Sequence, residues 1–325
     1  MPQPTQSQVH VDAILTNISV AYMQRAENFI ADKVFPIVPV DKQSDKYFKY
    51  TKNDWLRDEA QVRADGTESV GSGYNITTDT YYADVYAIHK DVGDQTRANA
   101  DAPINVDREA AEFVTHRLLL RRELQFVSDF MAPGVWGTTA SGVASGASTG
   151  QFVQWNNYTT SDPITDIEEA KQEILSNTGY EANTLVLGYD TFRTLKHHPD
   201  LVDRIKYTSS QTITEDMLAR MFDIERVLVS KAVKATNAEG ASEAYSFATA
   251  KTAMLAHVAP SPGLLTPSAG YTFQWTGVSS GLGLTIGTSS FRIEELRATR
   301  IESELAFDNK VVGSDLGYFW KDAVA

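Results

Sequence analysis

The sequence predicts an α+β protein of about two domains, with an extended β-hairpin, one long helix and a compact α/β unit. Its 325 residues suffice for two cores at about 100–200 residues per domain. Aromatic runs enclose a polar, turn-rich stretch between residues 44 and 92, which indicates a hairpin. A helical pattern then precedes a β-α-α-β order over residues 184–230, which is typical of a layered α/β unit.

Composition excludes several classes of function. The formal net charge of −13 opposes tight DNA binding as the main activity, because such proteins carry a basic face. The absence of cysteine excludes disulfides, thiol nucleophiles and cysteine-based zinc sites. We find no secretory signal pattern at the start of the chain, and no apolar run of about 18 residues. We therefore expect a soluble, unsecreted protein that is made in a reducing cytoplasm.

The N-terminal region predicts an arm. A weak helical stripe runs from Ala13 to Ile30, and an apolar run from Val34 to Val40 follows, interrupted by two prolines. Proline cannot lie in a central strand, so this run is an edge strand or an extended arm. Its apolar side chains, Phe35 included, could pack on a neighbouring subunit or on the parent domain, and the sequence leaves both open.

The hairpin is predicted from two aromatic strands. They are Tyr47–Tyr50 and Tyr81–Ile88, and the tip between them contains Asp65-Gly66. A two-stranded hairpin is marginal in water on its own. We therefore expect it to lean on its own domain or on another subunit.

A helix is predicted from Asn105 to Met131, capped by Asn105 and followed by Pro133-Gly134. Its predicted apolar face is Val106, Ala110, Phe113, Leu120, Leu124, Val127 and Met131. Arg117 interrupts that face and shares a side with Arg121. These arginines, with Arg122, could contact acidic groups of a neighbouring subunit or nucleic acid, or pair with acids of their own helix such as Glu123.

The remaining segments are predicted as follows. Residues 133–161 are rich in Gly, Ser, Thr and Ala and predict a flexible connector or surface loop. A helix then begins at Asp162-Pro163 and ends before Gly179. Two buried strands, Thr184–Gly188 and Ile224–Ser230, enclose short helices, and the chain from Tyr245 onward is mainly strands.

Neither a catalytic nor a metal nor a cofactor site is predicted. The glycines of Gly281–Gly287 lack the lysine of a phosphate-binding loop and miss the dinucleotide spacing. His197-His198, with Asp200 nearby, is expected to be a solvated helix end, because adjacent residues do not share a helix face. There is no Gly-x-Ser-x-Gly motif, and the paired carboxylates are expected to be solvated.

The order of these features resembles the major capsid proteins of tailed bacteriophages of the Hong Kong 97 (HK97-like) type. The segments that resemble the family are FPIVPVDKQSDKYFKY, DVGDQTRANADAPINVDREAAEFVTHRLLLRREL, NTLVLGYDTFRTLKHHPDLVDRIKY and SELAFDNKVVGSDLGYFW. The resemblance implies an N-terminal arm (1–40), an extended loop (41–92), a peripheral domain with a spine helix (93–160), an axial domain (161–290) and C-terminal strands returning to the peripheral domain (291–325). It implies a self-assembling shell protein of the virion, not an enzyme.

The resemblance also implies partners. The chain would form hexamers and pentamers with itself, enclose DNA without reading its sequence, and work with a portal, a separate scaffolding protein and a decoration protein. Lys–Asn cross-links are not expected, because Lys46, Lys49, Lys52 and Asn309 do not match a motif. The alternatives are an encapsulin-like compartment and, in a different class, a soluble α+β hydrolase or binding protein. The predicted interface residues are Phe35, Tyr47, Phe48, Tyr50, Trp55, Arg57, Tyr81, Tyr82, Arg117 and Arg121.

Overall fold

The computed structural model describes residues 24–100, 104–205, 213–277 and 287–325. The helices in these ranges are α1 (Lys52–Trp55), α2 (Asp94–Ala98), α3 (Val106–Phe130), α4 (Pro163–Thr178), α5 (Tyr189–Lys196), α6 (Pro199–Ile205) and α7 (Glu215–Met221). The strands are β1 (Ile37–Val40), β2 (Ser44–Tyr50), β3 (Ile76–Tyr82), β4 (Asp84–Gly93), β5 (Thr138–Val143), β6 (Gln151–Val153), β7 (Thr184–Gly188), β8 (Arg226–Ser230), β9 (Val233–Ala235), β10 (Tyr245–Phe247), β11 (Ala253–Ala256), β12 (Gly270–Trp275), β13 (Gly287–Ile293), β14 (Ala298–Val311) and β15 (Gly317–Lys321).

Two sheets form the body of the subunit. The six-stranded sheet has the order β6-β5-β15-β11-β7-β8. In the five-stranded sheet the order is β1-β12-β14-β13, and β4 pairs with β14 as well. The ladders β2-β3 and β9-β10 are separate from both sheets. The mixed α+β class predicted from the sequence is confirmed.

The six-stranded sheet is the core of the predicted α/β unit. β7 is buried at all five positions, as its run of apolar residues predicts for a strand covered on both faces. Helix α4 packs on the sheet through Ile167 and Ile174. Asp162 caps α4 by accepting from the amide of Ile164 at 3.1 Å, and Gly179 ends it at φ 77°.

The connector predicted between residues 133 and 161 is wrong, because this segment contains β5 and β6 of the six-stranded sheet. Its small residues permit close backbone packing. A Cβ at Gly142 would collide with the backbone carbonyl of Asp322. Trp155, just beyond β6, is fully buried against Trp320. Tight packing thus explains Gly142, whereas Gly146 and Gly150 adopt positive φ in the exposed turn between β5 and β6.

The C-terminal strands are divided between the two sheets. β15 lies between β5 and β11 in the six-stranded sheet, whereas β12, β13 and β14 lie in the five-stranded one. Alternation along β15 explains its position, because successive side chains point to opposite faces. Phe319 joins the cluster of Phe126 and Phe130, and Trp320 joins the core on the other face. A strand that is apolar on both faces fits only inside a sheet that is covered on both sides.

The long helix α3 begins and ends as predicted, with the Asn105 side chain accepting from the amide of Arg108. Of its predicted apolar face, Val106, Ala110 and Met131 are buried, and Leu120, Leu124 and Val127 are partly buried. The buried positions advance in steps of four along Val106, Ala110, Val114, Leu118, Arg122, Phe126 and Phe130, with Glu123 also buried. Phe113, which was assigned to the apolar face, is 42% exposed. Each four-residue step turns about 40° beyond a full circle. The buried stripe therefore winds around α3, from β4 and β14 at one end to the Phe35 cluster at the other.

The arm is packed on its own subunit where the structure describes it. Most of the predicted helix Ala13–Ile30 lies outside the described residues, and Ala26–Asn28 is a 3-10 turn. Val34 and Phe35 are buried. β1 then pairs in parallel with β12 at the edge of the five-stranded sheet, which confirms the edge strand.

The segment predicted as a single strand, Tyr81–Ile88, divides at Ala83. β3 ends at Tyr82 and pairs with β2, whereas β4 begins at Asp84 and pairs with β14. The amide of Ala83 donates to the carbonyl of Gln43 at 2.8 Å, where the two strands of the hairpin leave the body. The predicted hairpin is confirmed as the β2-β3 ladder.

Candidate subunit interface

One face of the β2-β3 hairpin is anchored on its own subunit. The ring of Tyr81 stacks on Phe273 with centroids 4.6 Å apart, and Tyr47 lies 5.3 Å from the same ring. The amide of Tyr82 donates to the carboxylate of Asp308 at 2.8 Å. The base of the hairpin is therefore fixed by aromatic packing and a charge-assisted hydrogen bond.

Polar contacts join the two strands on this inner face. The hydroxyl of Tyr47 donates to Asp79 at 3.1 Å, and Lys49 lies 3.4 Å from the same carboxylate. Burial, and then the negative charge of Asp79, raise the pKa of Tyr47 well above 10. The Thr80 amide above all, together with the Tyr47 hydroxyl and Lys49, lowers the pKa of Asp79. Both groups therefore keep their donor and acceptor roles at neutral pH.

The other face of the hairpin is uncovered and half apolar, since Ser44, Lys46, Thr78 and Thr80 also lie on it. Side chains two residues apart share a face of a strand, so Phe48 and Tyr50 of β2 share this outer face with Ile76 and Tyr82 of β3. Phe48 is 58% exposed and Tyr82 is 55% exposed. A strand face that remains in water is normally polar. The outer face thus leaves large apolar side chains in water beside its polar ones, without a covering layer.

The tip of the hairpin, residues 51–75, also exposes apolar side chains. Tyr50, Trp55 and Tyr74 touch one another, with ring centroids 5.6 to 6.1 Å apart. The exposed apolar residues of the tip are Trp55, Leu56, Val62, Val70 and Tyr74. They pack on no core cluster of the described residues.

One ion pair ties the tip to its own body. The ammonium of Lys52 lies 2.6 Å from the carboxylate of Asp315, and both side chains are nearly half exposed. An exposed ion pair of this kind contributes about 0–1 kcal/mol. It is therefore a weak tether that a competing contact can replace.

A cluster of cations lies on α3 and β4, away from the hairpin. The guanidinium of Arg117 lies 5.0 Å from the ring centre of Phe113, and the ammonium of Lys90 lies 5.4 Å from it. Arg121 lies 4.9 Å from the ring centre of Tyr86. We call these five residues the cationic shelf. The aromatic faces hold the cations in place through cation–π attraction.

The pairing expected for Arg117 and Arg121 with acids of their own helix is absent from the described residues. Arg121 donates to the neutral Gln125 at 2.9 Å. Glu123 instead points inward and accepts from the amides of Ile30 and Ala31. The reason is the winding stripe of α3, which places Glu123 on the buried side.

Two predicted interface residues are corrected by the structure. Phe35 is buried in the subunit's own core, with its ring 4.5 Å from that of Phe130. Tyr81 is only 6% exposed, because it faces Phe273. Neither side chain is available to a neighbour in this structure. Of the other predicted residues, Tyr47 and Tyr50 are partly buried, and the exposed ones are Phe48, Trp55, Arg57, Tyr82, Arg117 and Arg121.

Sequence reasoning missed Leu56, Val62, Val70, Tyr74 and Lys90. A signal was present for the first four, since isolated apolar residues stand in an otherwise polar, turn-rich stretch. Nothing in the local sequence pairs Lys90 with Phe113, because that contact joins a strand to a helix.

Of the His197-His198 pair, His197 is the exposed helix end that the sequence predicted, but His198 is not. His198 is fully buried, and its Nε2 lies 3.0 Å from the hydroxyl of Ser161. Burial lowers the pKa of His198 despite Asp200 at 3.5 Å. Ser161 in turn donates to the carbonyl of Asn157, which makes this a structural network. Among the described residues no cluster of acidic and histidine side chains could hold a metal.

Curated relatives are phage proteins. No protein-family profile matches the chain. It is 26% identical over 321 residues to the major capsid protein of Burkholderia phage BcepMu, covering 95% of both chains. The match to the major capsid protein of Pseudomonas phage JBD67 is 25% identical over 224 residues, covering 68% of this chain and 69% of the relative.

Solved structures share the fold. A phage-related protein from Bordetella bronchiseptica RB50 matches with a TM-score of 0.67 at 24% identity, over 92% of this chain and 94% of that one. The capsid protein of cyanophage P-SCSP1u matches with a TM-score of 0.63 at 11% identity, over 96% and 92%. The SrpI encapsulin of Synechococcus elongatus matches with a TM-score of 0.58 at 12% identity, over 96% and 95%.

Among the described residues, no helix combines the length and the apolar character needed to cross a membrane. The order of the elements and the solved capsid structures that the chain matches show the HK97-like capsid fold. The curated relatives, at 26% and 25% identity, are major capsid proteins of phages.

Proposed function

We propose that copies of this chain form the icosahedral head shell around the double-stranded DNA of a tailed phage, with the β2-β3 hairpin as the clasp between copies. The observation that carries the role of the hairpin is its uncovered outer face, on which Phe48, Ile76 and Tyr82 are all about half exposed. Covering this face and the tip with a neighbour gives these apolar side chains the burial that their own subunit does not supply.

The stability that such a clasp gives to a shell comes from many repeated contacts between copies. Full burial of one large apolar side chain contributes about 1.5–3 kcal/mol. Phe48, Trp55 and Tyr82 are between 55% and 58% exposed, so a neighbour that covered them would gain about half of this burial free energy at each. Every copy in a closed shell both gives and receives a hairpin, so modest contacts add up to a stable particle.

The acidic charge supports containment of DNA without adhesion. A net charge of −13 repels phosphate over most of the surface. We propose that the copies are arranged as hexamers and pentamers, and that assembly in the host cytoplasm uses a portal, a separate scaffolding protein and a decoration protein. The contents of purified particles distinguish a head, which holds DNA, from an encapsulin-like compartment, which holds protein cargo.

The clasp is tested by deleting residues 55–75 and closing the gap with a short Gly/Ser turn. We expect a folded subunit, judged by circular dichroism and thermal unfolding, which gives no shells by electron microscopy. A matched control replaces polar tip residues only (Gln61→Ser and Thr67→Ser) and should assemble normally. Closed shells from the deletion variant would show that the hairpin is not the clasp.

A further inference from the structure

Strand β13 is an outer strand of the five-stranded sheet and has one open edge. It pairs with β14 on one side, and no described strand pairs with its other side. Every second residue of such a strand directs its amide and carbonyl groups away from the sheet. Five consecutive residues, Thr288–Arg292, are also exposed. A further strand therefore has free access to this edge.

Among the described outer strands that lie outside the hairpin, β13 is the one without protection. The others of five or more residues are β4 and β8. β8 is buried or half-buried along its whole length. β4 carries Asp84, Lys90 and Asp91, and such charges normally protect an edge from pairing. β13 has no proline and one charged residue, Arg292, whose guanidinium is already bonded to Asp94 at 2.6 Å.

The sequence of β13 is complementary to a second copy of itself in the antiparallel orientation. When all seven residues are paired, Ser290 faces the second copy's Ser290 on a two-fold axis, and Arg292 faces Thr288. The two Arg292 residues then lie about 14 Å apart, because four residues along a strand separate them. A parallel arrangement in register would place these like charges side by side, which is unfavourable.

The aromatic residue of β13 also fits this arrangement. Phe291 is 45% exposed in the subunit, and it is the large hydrophobic side chain that β13 leaves in water. In the antiparallel register, Phe291 faces the small side chain of Ser289, and the two Phe291 residues become diagonal neighbours on one face. Diagonal neighbours lie roughly 7–8 Å apart, within reach of aromatic side chains. Each ring can therefore cover the other.

We infer that β13 of one copy pairs with β13 of a second copy as antiparallel strands about a two-fold axis, which joins two five-stranded sheets into one. This inference rests on the proposed shell, because an icosahedral shell supplies two-fold axes between copies. At such an axis the same surface of both copies meets itself, so that no other component is required. The contact is separate from the hairpin clasp.

A single cysteine tests the pairing, because the chain has no cysteine of its own. Directly opposite residues have Cα atoms about 4.5–5.5 Å apart, a distance that a disulfide spans. We expect assembled Ser290→Cys shells to give disulfide-linked dimers on non-reducing gels after mild oxidation. Thr288→Cys is the matched control on the same strand. Its two copies would lie about 14 Å apart, so it should give no dimer.

A charge on the axis tests whether assembly needs this contact. Ser290→Glu and Ser290→Lys each place like charges directly opposite each other, and a shell repeats this repulsion many times. Each variant alone should fold, judged by circular dichroism, and should reduce the yield of shells about tenfold or more. Co-expression of the two variants pairs Glu with Lys and should recover shells. The control uses Ser242, which is exposed in the loop between β9 and β10, and Ser242→Glu and Ser242→Lys should assemble at nearly normal yield.

The outcomes separate the strand contact from the proposed shell. Absence of shells from the wild-type chain would overturn both. Wild-type shells together with Ser290→Cys shells that give no dimer would overturn the strand pairing and leave the shell standing. Loss of assembly in the charged variants without that dimer would mean that a different strand occupies the edge, and self-pairing would again be wrong. A dimer from Ser290→Cys and not from Thr288→Cys, with recovery in the mixture of charged variants, supports the pairing.

Discussion

Glu123→Ala should destabilise the subunit strongly, although the change removes a buried charge. The Glu123 carboxylate is fully buried in the middle of α3. It accepts from the amides of Ile30 and Ala31, both at 2.9 Å, and from the hydroxyl of Ser230 at 2.8 Å. One side chain therefore joins the long helix to the arm and to the end of β8.

The magnitude follows from the donors that alanine leaves behind. A buried donor without a partner costs about 1–3 kcal/mol, so the two amides alone account for about 2–6 kcal/mol. Relief of the buried charge offsets part of this loss. We expect Glu123→Ala to lower the free energy of unfolding by about 3 kcal/mol.

Glu123→Gln removes the charge of the side chain but keeps its shape, so it tests the hydrogen bonds separately from the charge. Its carbonyl oxygen can accept both amides, and its amide nitrogen can donate to the Ser230 hydroxyl. We expect a change within about 1 kcal/mol, measured by urea unfolding of the unassembled subunit. Equal losses in the Ala and Gln variants, or no loss in the Ala variant, would refute the assignment of these hydrogen bonds.

The pH dependence gives the same residue a second test. Burial raises the pKa of Glu123 above 4.5, although the hydrogen bonds from Ala31, Ser230 and Ile30 oppose this. A raised pKa in the folded state means that the folded chain takes up the proton first, so the contribution of Glu123 to stability grows as pH falls from neutral. We expect the wild-type chain to gain stability relative to Glu123→Gln on acidification toward 4.5. The difference between the two proteins removes the effect of all other carboxylates.

Three further predictions concern the body of the subunit. Phe35→Ala should lower the free energy of unfolding of the unassembled subunit by about 3–5 kcal/mol in urea, whereas a neutral result would return Phe35 to the list of interface residues. Gly142→Ala should lower the melting temperature, because its Cβ meets the carbonyl of Asp322; an unchanged melting temperature would show that the two strands can separate freely. Burial lowers the pKa of His198, so its contribution to stability is present above its unfolded-state pKa of about 6.5 and is lost as pH falls through the lower folded value. Urea unfolding at pH 5 and pH 7.5 should show this loss in the wild type and a smaller one in His198→Gln.

The sequence predicts the elements better than it predicts their faces. Helix α4, for example, follows from Asp162, Pro163 and Gly179, because caps act within a few residues of the helix end. The buried side of α3 could not be read in the same way. A fixed apolar stripe assumes one flat partner, but α3 passes over several clusters, and the stripe winds with them.

The failure at residues 133–161 has a different cause. Gly and Ser are common in loops, and composition alone cannot distinguish a loop from a strand that another backbone approaches closely. The constraint on Gly142 comes from Asp322, 180 residues along the chain. Phe35 shows the same limit, since its burial depends on Phe130 and Trp136 and not on its proline-rich surroundings. At both positions the structure depends on contacts with residues that are distant in sequence: the need for glycine at 142 and the burial of Phe35.

Two adjacent tyrosines of the hairpin differ in whether their own subunit covers them. Tyr81 is 6% exposed and Tyr82 is 55% exposed, although both are tyrosines on one strand. The alternation of strand side chains explains the contrast, because it sends one ring toward Phe273 and the other away from the body. A sequence pattern that is apolar on both faces predicts only that both become covered. Here the structure supplies a cover for one face, and the proposed clasp would cover the other.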